Sequence, residues 1–483
     1  GELSERLLIV LLVLLVLLAV AGWLIRLFIG GLGPIIESGQ DRFAAWAERQ
    51  PGRFWPRIGA VISPAHPGSL SIILFAALAV TALIAFLHIM SSVFGQSALI
   101  NADLSIHNMM QGLRNAPADE IMTMVTMLGD GAVMVTVGLA IVLWLVWRRE
   151  WRIAVAAFVT ILAARLFVPL MKLWLQRPRP VELTGLPEVF SFPSGHTTFA
   201  TVTLGVFAVL VTHGLRSWGK AVVFAAVGIA VIAIAYSRIY LGAHWMSDVL
   251  GGFLFGAAMI AAFGIAIEAV PSRRIQPIGL SIAVLLAFFA AGTVHINRDY
   301  AANAEMYTPR EAIVLYDLEQ WETGSWAGLS RRRIDLAGRS EEKFSAQWAG
   351  DLSPLSEALS KDGWTEQGKW SWTLGLAYLD PNRGLADLAP RPALHRGRAA
   401  ELTWTKPVDG DPNQRLVLRA WKTDTMIGKA DQTFPIYVVS LMRERLRRDL
   451  NLYAVPSAVV PQPAELDSFA SMLRSIPGIR IVA

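Results

Sequence analysis

The sequence predicts a polytopic α-helical membrane protein, with a helical bundle in the membrane and a C-terminal soluble domain of α/β or α+β class. Of its 483 residues, 54% are hydrophobic and 17% are charged, and the mean hydropathy is +0.46, which argues against a soluble single domain. Beyond about residue 296 charges are dense and no run is long enough to span a bilayer. The predicted domains are therefore 1–68, an N-terminal span with its linker, 69–296, the membrane domain, and 297–483, the soluble domain.

About eight apolar runs of roughly 17–25 residues are long enough to cross a bilayer. The first run is too long for a signal-peptide core and lacks a cleavage site, so it is interpreted as a true span. A further piece at 103–128 is amphipathic, and we expect it to lie along the interface or to fold back between spans. The predicted spans fall at about 7–29, 69–94, 131–147, 153–173, 197–212, 220–236, 246–269 and 277–295.

The basic residues indicate how the chain is oriented. A net charge of +5 would fit a nucleic-acid-binding protein, but these residues concentrate in short loops between apolar runs, which is typical of membrane proteins. Those loops are expected to face the cytoplasm, and the alternate loops, together with the segment after 295, the extracytoplasmic side. The absence of cysteine excludes disulfides and cysteine-ligated metals. The basic loop residues are Arg42, Arg49, Arg53, Arg57, Arg148, Arg149, Arg152, Arg216, Lys220, Arg273 and Arg274.

Three short polar clusters interrupt the apolar sequence on the predicted extracytoplasmic side. Charged groups at the ends of apolar helices are costly unless they snorkel, pair or meet a ligand, so three clusters in succession predict one convergent site. Because the clusters are rich in basic residues, a phosphate is a suitable ligand for this predicted site. The clusters are Lys172 with Arg179-Pro180, then Pro193-Ser194-Gly195-His196, then Ser237-Arg238 with His244 and Asp248.

The first two clusters combine basic groups with a helix start. Prolines after Lys172 end its helix and hold Lys172 and Arg179 at the exit, although snorkelling anchors would look the same. The turn at Ser194-Gly195 leads directly into an apolar helix, whose free N–H groups form a ready anion site. The alternative is an ordinary helix start with Ser194 as N-cap.

The third cluster is the most informative. His244 and Asp248 are four residues apart on a predicted helix and share one face. A carboxylate beside an imidazole fixes its tautomer and prepares a histidine nucleophile, while Arg238 can bind phosphoryl oxygens in a forked geometry. A lone His–Asp pair is more often a structural hydrogen bond, but this pair accompanies two other clusters.

The order Lys-x6-Arg-Pro, Pro-Ser-Gly-His and Ser-Arg-x5-His-x3-Asp resembles the three signature motifs of the type 2 phosphatidic acid phosphatase (PAP2) superfamily, over roughly residues 69–270. The resemblance implies a PAP2-type bundle in a bacterial inner membrane. It further implies hydrolysis, on the extracytoplasmic (periplasmic) side, of a lipid phosphate or diphosphate such as undecaprenyl diphosphate, phosphatidic acid or phosphatidylglycerol phosphate. Arg177-Pro178 offers a second Arg-Pro, but the six-residue spacing selects Arg179.

The resemblance also implies roles for individual residues. His244 would attack phosphorus to give a phosphohistidine, Asp248 would orient it, and His196 would protonate the leaving oxygen and later activate water. No metal or other cofactor is expected, because the basic groups neutralise the phosphoryl charge. The expected phosphate-binding residues are Lys172, Arg179, Ser194, Gly195 and Arg238.

Two other function classes remain open. Vanadate-dependent haloperoxidases carry the same motifs, but they are soluble, whereas these motifs lie among predicted spans. A non-catalytic lipid transporter or scaffold with this fold is disfavoured because His244, His196 and Asp248 are all intact.

The C-terminal part predicts strands at 414–421 and 435–441 and an amphipathic helix at 352–361. Leu329–Leu336, the Gln347-Trp348 region and Arg391–Arg398 resemble the LssY C-terminal domain, which assigns no activity. We interpret His395 and its neighbouring arginines as a solvated basic face, with an anion site as the alternative. We expect this domain to lie on the same side as His244 and to shape lipid access or recruit an extracytoplasmic protein partner, and no nucleic acid is expected. Chains of this type often carry a DedA-type membrane domain upstream, so removal of such a domain before Gly1 is a further expectation.

Overall fold

The computed structural model divides into two compact units, which are treated separately below. Unit one comprises 1–94 and 115–308, and unit two comprises 95–114 and 309–483. The span predicted at 7–29 lies outside the described residues. The structure describes residues 37–66, 68–95, 97–181, 190–213, 215–268, 275–308, 313–429, 432–449 and 452–477.

Ten helices are named between Phe54 and Met306, and they include the candidate spans of the part of the chain that the structure describes. Six of them are long and apolar enough to cross a membrane, and α4 with α5, bent by 40° at a short break, makes a seventh if the pair is one span. The predicted membrane bundle is confirmed, and its last helix continues about three turns beyond the predicted boundary at 296. The helices are α1 (Phe54–Ile62), α2 (Ser69–Phe94), α3 (Ala98–Gly112, in unit two), α4 (Ala116–Leu128), α5 (Gly131–Trp147), α6 (Trp151–Leu175), α7 (Gly195–Thr212), α8 (Ser217–Tyr240), α9 (Met246–Glu268) and α10 (Pro277–Met306).

Helix α7 lies at the centre of unit one. It is apolar on all sides and 89% of its spanning window is buried, as expected for a helix enclosed by others. Helix α9 packs closely against it through glycines: a Cβ at Gly252 would lie 2.8 Å from Ser194 O, and one at Gly256 would lie 2.7 Å from Thr201 Cγ2. This approach allows Ser194 N–H to donate a 3.0 Å hydrogen bond to Asp248 O, so two of the three motifs meet.

Unit two is built on a seven-stranded, mostly antiparallel sheet. Its order is β11-β10-β9-β8-β5, with β4 antiparallel to β10 and β1 parallel to β9. The strands and the helix predicted in this part of the chain are confirmed by β9, β10 and α12. The elements are β1 (Val314–Asp317), α11 (Leu318–Glu322), β2 (Arg332–Ile334), β3 (Ser340–Lys343), β4 (Ala346–Ala349), α12 (Ser353–Lys361), β5 (Thr365–Glu366), α13 (Trp372–Leu376), β6 (Leu394–His395), β7 (Arg398–Ala399), β8 (Leu402–Val408), β9 (Asp411–Lys429), β10 (Gln432–Asp449), β11 (Tyr453–Val459) and α14 (Pro463–Arg474).

The two faces of this sheet are covered differently. Leu359 of α12 and Phe469 of α14 belong to one apolar core with Leu418 of β9. Arg415 and Arg419 of β9 have the opposite side-chain direction to Leu418 and point to the other face of the sheet. Both are buried there and donate to Glu444 at 2.8 and 3.0 Å. The alternation along β9 thus separates an apolar face from a buried ion network.

Helix α3 belongs to this soluble fold. Ser105 Oγ donates to Asp335 O at 3.1 Å, and Asn108 Nδ2 donates to Arg396 O at 3.0 Å. The single amphipathic piece predicted at 103–128 is therefore wrong: its first half packs in unit two, while its second half is α4 of unit one. An amphipathic pattern cannot distinguish a membrane interface from the surface of a soluble domain, because both bury one apolar face.

Candidate active site

The three predicted clusters converge at helix ends of unit one. Lys172 lies in the last turn of α6 and Arg238 in the last turn of α8. Arg179 follows α6, and His244 precedes α9. Lys172, Arg179, Arg238 and His196 all lie within electrostatic reach of His244. We call this group, with Ser194, Gly195 and Asp248, the unit-one site.

His244 is enclosed, with 2% of its side chain exposed, and both ring nitrogens face charged groups. Its Nδ1 lies 3.4 Å from Asp248 Oδ2. Because an ionised carboxylate only accepts hydrogen bonds, we assign the ring proton to Nδ1, which leaves a lone pair on Nε2. This Nε2 lies 3.5 Å from Arg179 Nη1. Burial, followed by the charge of Arg179, holds the pKa of His244 well below its usual 6.5, so the imidazole is neutral.

Asp248 is held on both of its carboxylate oxygens. Arg177 Nη1 donates to Oδ1 at 2.6 Å, and Trp245 N–H donates to Oδ2 at 3.0 Å. Arg177 also donates to Ser247 Oγ at 2.7 Å and stacks over the Trp245 ring at 5.6 Å. Motif spacing set Arg177 aside in favour of Arg179, yet Arg177 fixes the carboxylate that orients His244. In the sequence, the signal for this role of Arg177 was the second Arg-Pro pair.

The two arginines predicted to bind phosphate donate hydrogen bonds to uncharged oxygen atoms. Arg179 Nη1 donates to Ala243 O at 2.8 Å. Arg238, only 1% exposed, donates to the hydroxyls of Thr126 and Tyr307 at 2.6 and 2.7 Å. Its Nε has no hydrogen-bond partner within the described parts of the chain. A buried guanidinium held by neutral hydroxyls keeps its charge available for an anionic ligand.

The turn before α7 has no side-chain cap at Ser194. Ser194 occupies the N-cap position, but its side chain makes no capping hydrogen bond; its Oγ accepts from Thr197 Oγ1 at 3.1 Å, so the ordinary N-cap alternative is not confirmed. A Cβ at Gly195 would make only ordinary contacts with Val168 and Phe199, at 3.6 and 3.7 Å. Protein packing therefore does not explain this glycine, and close approach of a phosphate remains a prediction.

A network that the sequence did not predict surrounds His196. Asp130, in the break between α4 and α5, places Oδ1 2.8 Å from His196 Nε2. Its Oδ2 lies 2.6 Å from His295 Nε2, and His295 Nδ1 lies 2.8 Å from Asp299 Oδ2. The sequence signal for this network was Asp130 itself, an isolated carboxylate in an apolar stretch, since such a group needs a partner.

Two family models match separate parts of the chain. The PAP2 superfamily matches residues 153–274, and the LssY C-terminus matches residues 326–446. The first match falls in unit one and includes every predicted residue of the unit-one site, and the second falls in unit two.

Curated relatives resemble the membrane part. "Phosphatidylglycerophosphatase B" of Bacillus subtilis is 29% identical over 174 residues, which is 35% of this chain and 86% of that protein. "Undecaprenyl-diphosphatase" of Sulfolobus acidocaldarius is 27% identical over 142 residues, 28% of this chain and 65% of that protein. "Putative undecaprenyl-diphosphatase YbjG" of Escherichia coli is 34% identical over 168 residues, 33% of this chain and 79% of that protein.

A solved structure is also similar. It is the crystal structure of a transmembrane PAP2 type phosphatidylglycerolphosphate phosphatase from Bacillus subtilis, 28% identical in sequence. The match covers 40% of this chain and 98% of that one, with a TM-score of 0.36.

Proposed function

Since the chain belongs to the PAP2 superfamily and is a phosphoric ester hydrolase, we propose that it hydrolyses a lipid phosphate or diphosphate ester through a phosphohistidine on His244. One observation carries this proposal. The ring of His244 is held between Asp248 at Nδ1 and Arg179 at Nε2. A neutral imidazole with its free lone pair beside a guanidinium is positioned to attack a phosphorus atom whose oxygens that guanidinium binds.

In the first step, Nε2 of His244 forms a bond to phosphorus and the bond from phosphorus to the lipid oxygen breaks. The imidazole becomes positively charged, and Asp248 stabilises it at Nδ1. The leaving oxygen takes a proton from His196. Because Arg177 and Trp245 hold the carboxylate of Asp248, the ring needs little reorganisation as charge develops.

In the second step, water attacks phosphorus and the bond from phosphorus to Nε2 breaks. Neutral His196 takes the water proton as the new bond forms, which restores both histidines and releases phosphate. Lys172, Arg179 and Arg238, with Ser194 and the N–H of Gly195, bind the equatorial oxygens and neutralise their charge. These cationic side chains perform the charge neutralisation that Mg²⁺ supplies in other phosphoryl-transfer enzymes.

The substrate proposed is a membrane lipid that ends in a phosphate or diphosphate. The names of the relatives support this class, since they concern phosphatidylglycerophosphate and undecaprenyl diphosphate. The chain's spanning helices support it as well, because helix ends that bear the site can meet a headgroup at the membrane surface.

Trapping of the intermediate tests the mechanism. Purified protein in detergent is given a ³²P-labelled aryl phosphate, whose good leaving group needs little acid assistance. Wild-type turnover of phosphatidic acid, phosphatidylglycerophosphate and undecaprenyl diphosphate is measured with and without EDTA. The His196→Ala variant is expected to accumulate alkali-stable label, because it lacks the base for the second step. The matched control is the His196→Ala, His244→Ala double variant, which should carry no label. Label in the double variant, or wild-type turnover that EDTA abolishes and Mg²⁺ restores, would contradict the proposal.

We also propose that the unit-one site and residues after 308 lie outside the cytoplasm, on the basis of the basic loops. The cysteine-free chain permits a direct test. Single cysteines at exposed Ser360 in unit two and exposed Lys220 at the start of α8 are treated with a membrane-impermeant thiol reagent in spheroplasts. Ser360→Cys should react and Lys220→Cys should react only after lysis. The reverse pattern would exclude this orientation.

A further inference from the structure

A polar cavity in unit two is lined by an excess of cationic side chains. Its volume is about 230 Å³, and Arg396, Arg398 and Lys422 line it together with Asp424. Arg398 and Asp424 form an ion pair. Among the lining residues that the structure describes, three cationic groups therefore face one carboxylate, and that carboxylate is already engaged.

Arg396 lies in this cavity on a strained backbone. The β6–β7 hairpin turns through Arg396 and Gly397, whose φ angles are 47° and 79°, as in a type I′ turn. Asparagine and glycine suit the first of these positions, and an arginine there is strained. The turn is nevertheless fixed, because Asn108 donates to Arg396 O and Arg396 N–H donates to Ile334 O at 2.9 Å.

The charge of the Arg396 guanidinium is compensated only in part. Its Nε is buried and has no hydrogen-bond partner among the residues for which the structure gives positions. Burial lowers the pKa of Arg396 from its usual value, and Asp424 offsets this only in part. Since a buried cation is costly unless paired, a cationic side chain beside a cavity points to a missing anion.

His395 lines the same cavity and can contribute a hydrogen-bond donor. It is 6% exposed and lines the cavity, so the interpretation of His395 as part of a solvated basic face is wrong. Its Nδ1 accepts a 3.1 Å hydrogen bond from Ile334 N–H, so the ring proton must reside on Nε2. Burial, then the charges of Arg396 and Arg333, lower the pKa of His395 to about 3. The ring is therefore neutral at physiological pH and presents a single N–H donor.

We propose that this cavity of unit two is a phosphate site that binds a phosphate dianion, free or as a ligand's headgroup, through Arg396, Arg398, Lys422 and His395. The donors are of the types that recognise phosphate, with arginine supplying charge-assisted hydrogen bonds. The cavity exceeds the volume of one phosphate, which leaves room for part of a larger ligand. The site is separate from the unit-one site and does not depend on the reaction proposed there.

The substitution Arg396→Asn separates a binding role from a structural one. Asparagine fits the left-handed turn and removes the partly compensated charge, so the melting temperature of the full chain in detergent should be unchanged or higher. Binding of inorganic phosphate, measured by calorimetry in the Arg179→Ala background to weaken the unit-one site, should fall by about tenfold or more.

Two further variants support the comparison. Lys422→Gln leaves the turn intact and should weaken phosphate binding by a smaller factor. Arg445→Gln removes an exposed arginine from the same sheet and should change neither binding nor melting. Wild-type affinity in Arg396→Asn, or a lower melting temperature without loss of phosphate binding, would overturn the proposal.

The source of the phosphate is decided by a second ligand. Dioctanoyl phosphatidic acid is titrated into the His244→Ala, Arg179→Ala chain, which cannot hydrolyse it by the proposed mechanism. Tighter binding than that of inorganic phosphate, lost in Arg396→Asn, assigns a lipid headgroup, and equal or weaker binding assigns free phosphate. If neither ligand binds in a manner sensitive to Arg396, the cavity is not a phosphate site.

Discussion

The two histidines of the unit-one site are held in contrasting ways. His244 is 2% exposed, and its carboxylate, Asp248, lies four residues away on the adjoining helix and is fully buried. His196 is 20% exposed, and its carboxylate, Asp130, comes from a distant break between helices and is 27% exposed. Asp248 is fixed by Arg177 and a backbone N–H, whereas Asp130 is shared with a second histidine.

This difference fits the two chemical roles proposed for these histidines. A nucleophile must keep one tautomer and one orientation, so a rigid and enclosed carboxylate serves it. An acid that later acts as a base must exchange its proton in every cycle, and contact with other titratable groups provides a route. The chain of contacts from His196 runs through Asp130 and His295 to Asp299, whose side chain is 29% exposed.

The largest effect is expected from removal of the nucleophile. His244→Ala should reduce phosphate release by about 10⁴-fold or more on every substrate, because no other group can form the covalent bond. The variant should remain folded in detergent, as size-exclusion chromatography would show. Substantial turnover by a folded His244→Ala protein would mean that the enclosed histidine is structural.

A smaller and substrate-dependent loss is expected at the other histidine. His196→Ala should lower turnover of a lipid phosphate by about 10²–10⁴-fold, because the poor leaving group needs protonation. With an activated aryl phosphate, formation of the phosphoenzyme should be nearly normal, measured as a pre-steady-state burst. An equal loss of burst rate for both substrates would remove the distinction between the two histidines.

The smallest effect is expected from substitution of Asp130, the carboxylate that contacts His196. Asp130→Asn should lower kcat by about tenfold, comparable to loss of a carboxylate behind other functional histidines. Because the protonated ring loses its counter-ion, the alkaline limb of the pH–rate profile should move to lower pH. Asp248→Asn is the contrasting variant, and should lower kcat without moving that limb.

Asp299→Asn provides the matched control for this shift. Asp299 contacts His295 and not His196, so the limb should move less than in Asp130→Asn. An unchanged profile in both variants, with only stability reduced, would show that the network is a structural ion pair.

Much of the membrane part could be predicted because its signals are local. The apolar runs gave the helices of unit one, and His244 and Asp248 share a helix face by their spacing alone. Asp130 and His295 could not be paired in advance, because their contact depends on how α5, α7 and α10 pack. Arg177 was missed for a similar reason, since motif spacing ranks Arg-Pro pairs without showing which carboxylate each reaches.

The soluble part shows the same limit. Alternating side chains predicted β9 and β10, but the burial of His395 depends on a hairpin lying against α3, which comes nearly 300 residues earlier in the chain. Patterns of charge predicted a basic surface there. Tertiary packing made it a cavity.

Because α3 belongs to unit two, the number of membrane crossings between α3 and the rest of unit two is constrained. The chain leaves unit two at Arg114 and returns after Thr308, and a soluble fold cannot have parts on both sides of a bilayer. The number of crossings between these points must therefore be even. Five helices that each qualify as spans lie between them, and the undescribed stretches there are too short to cross. If these five helices all cross, the sixth crossing must come from α5, alone or together with α4.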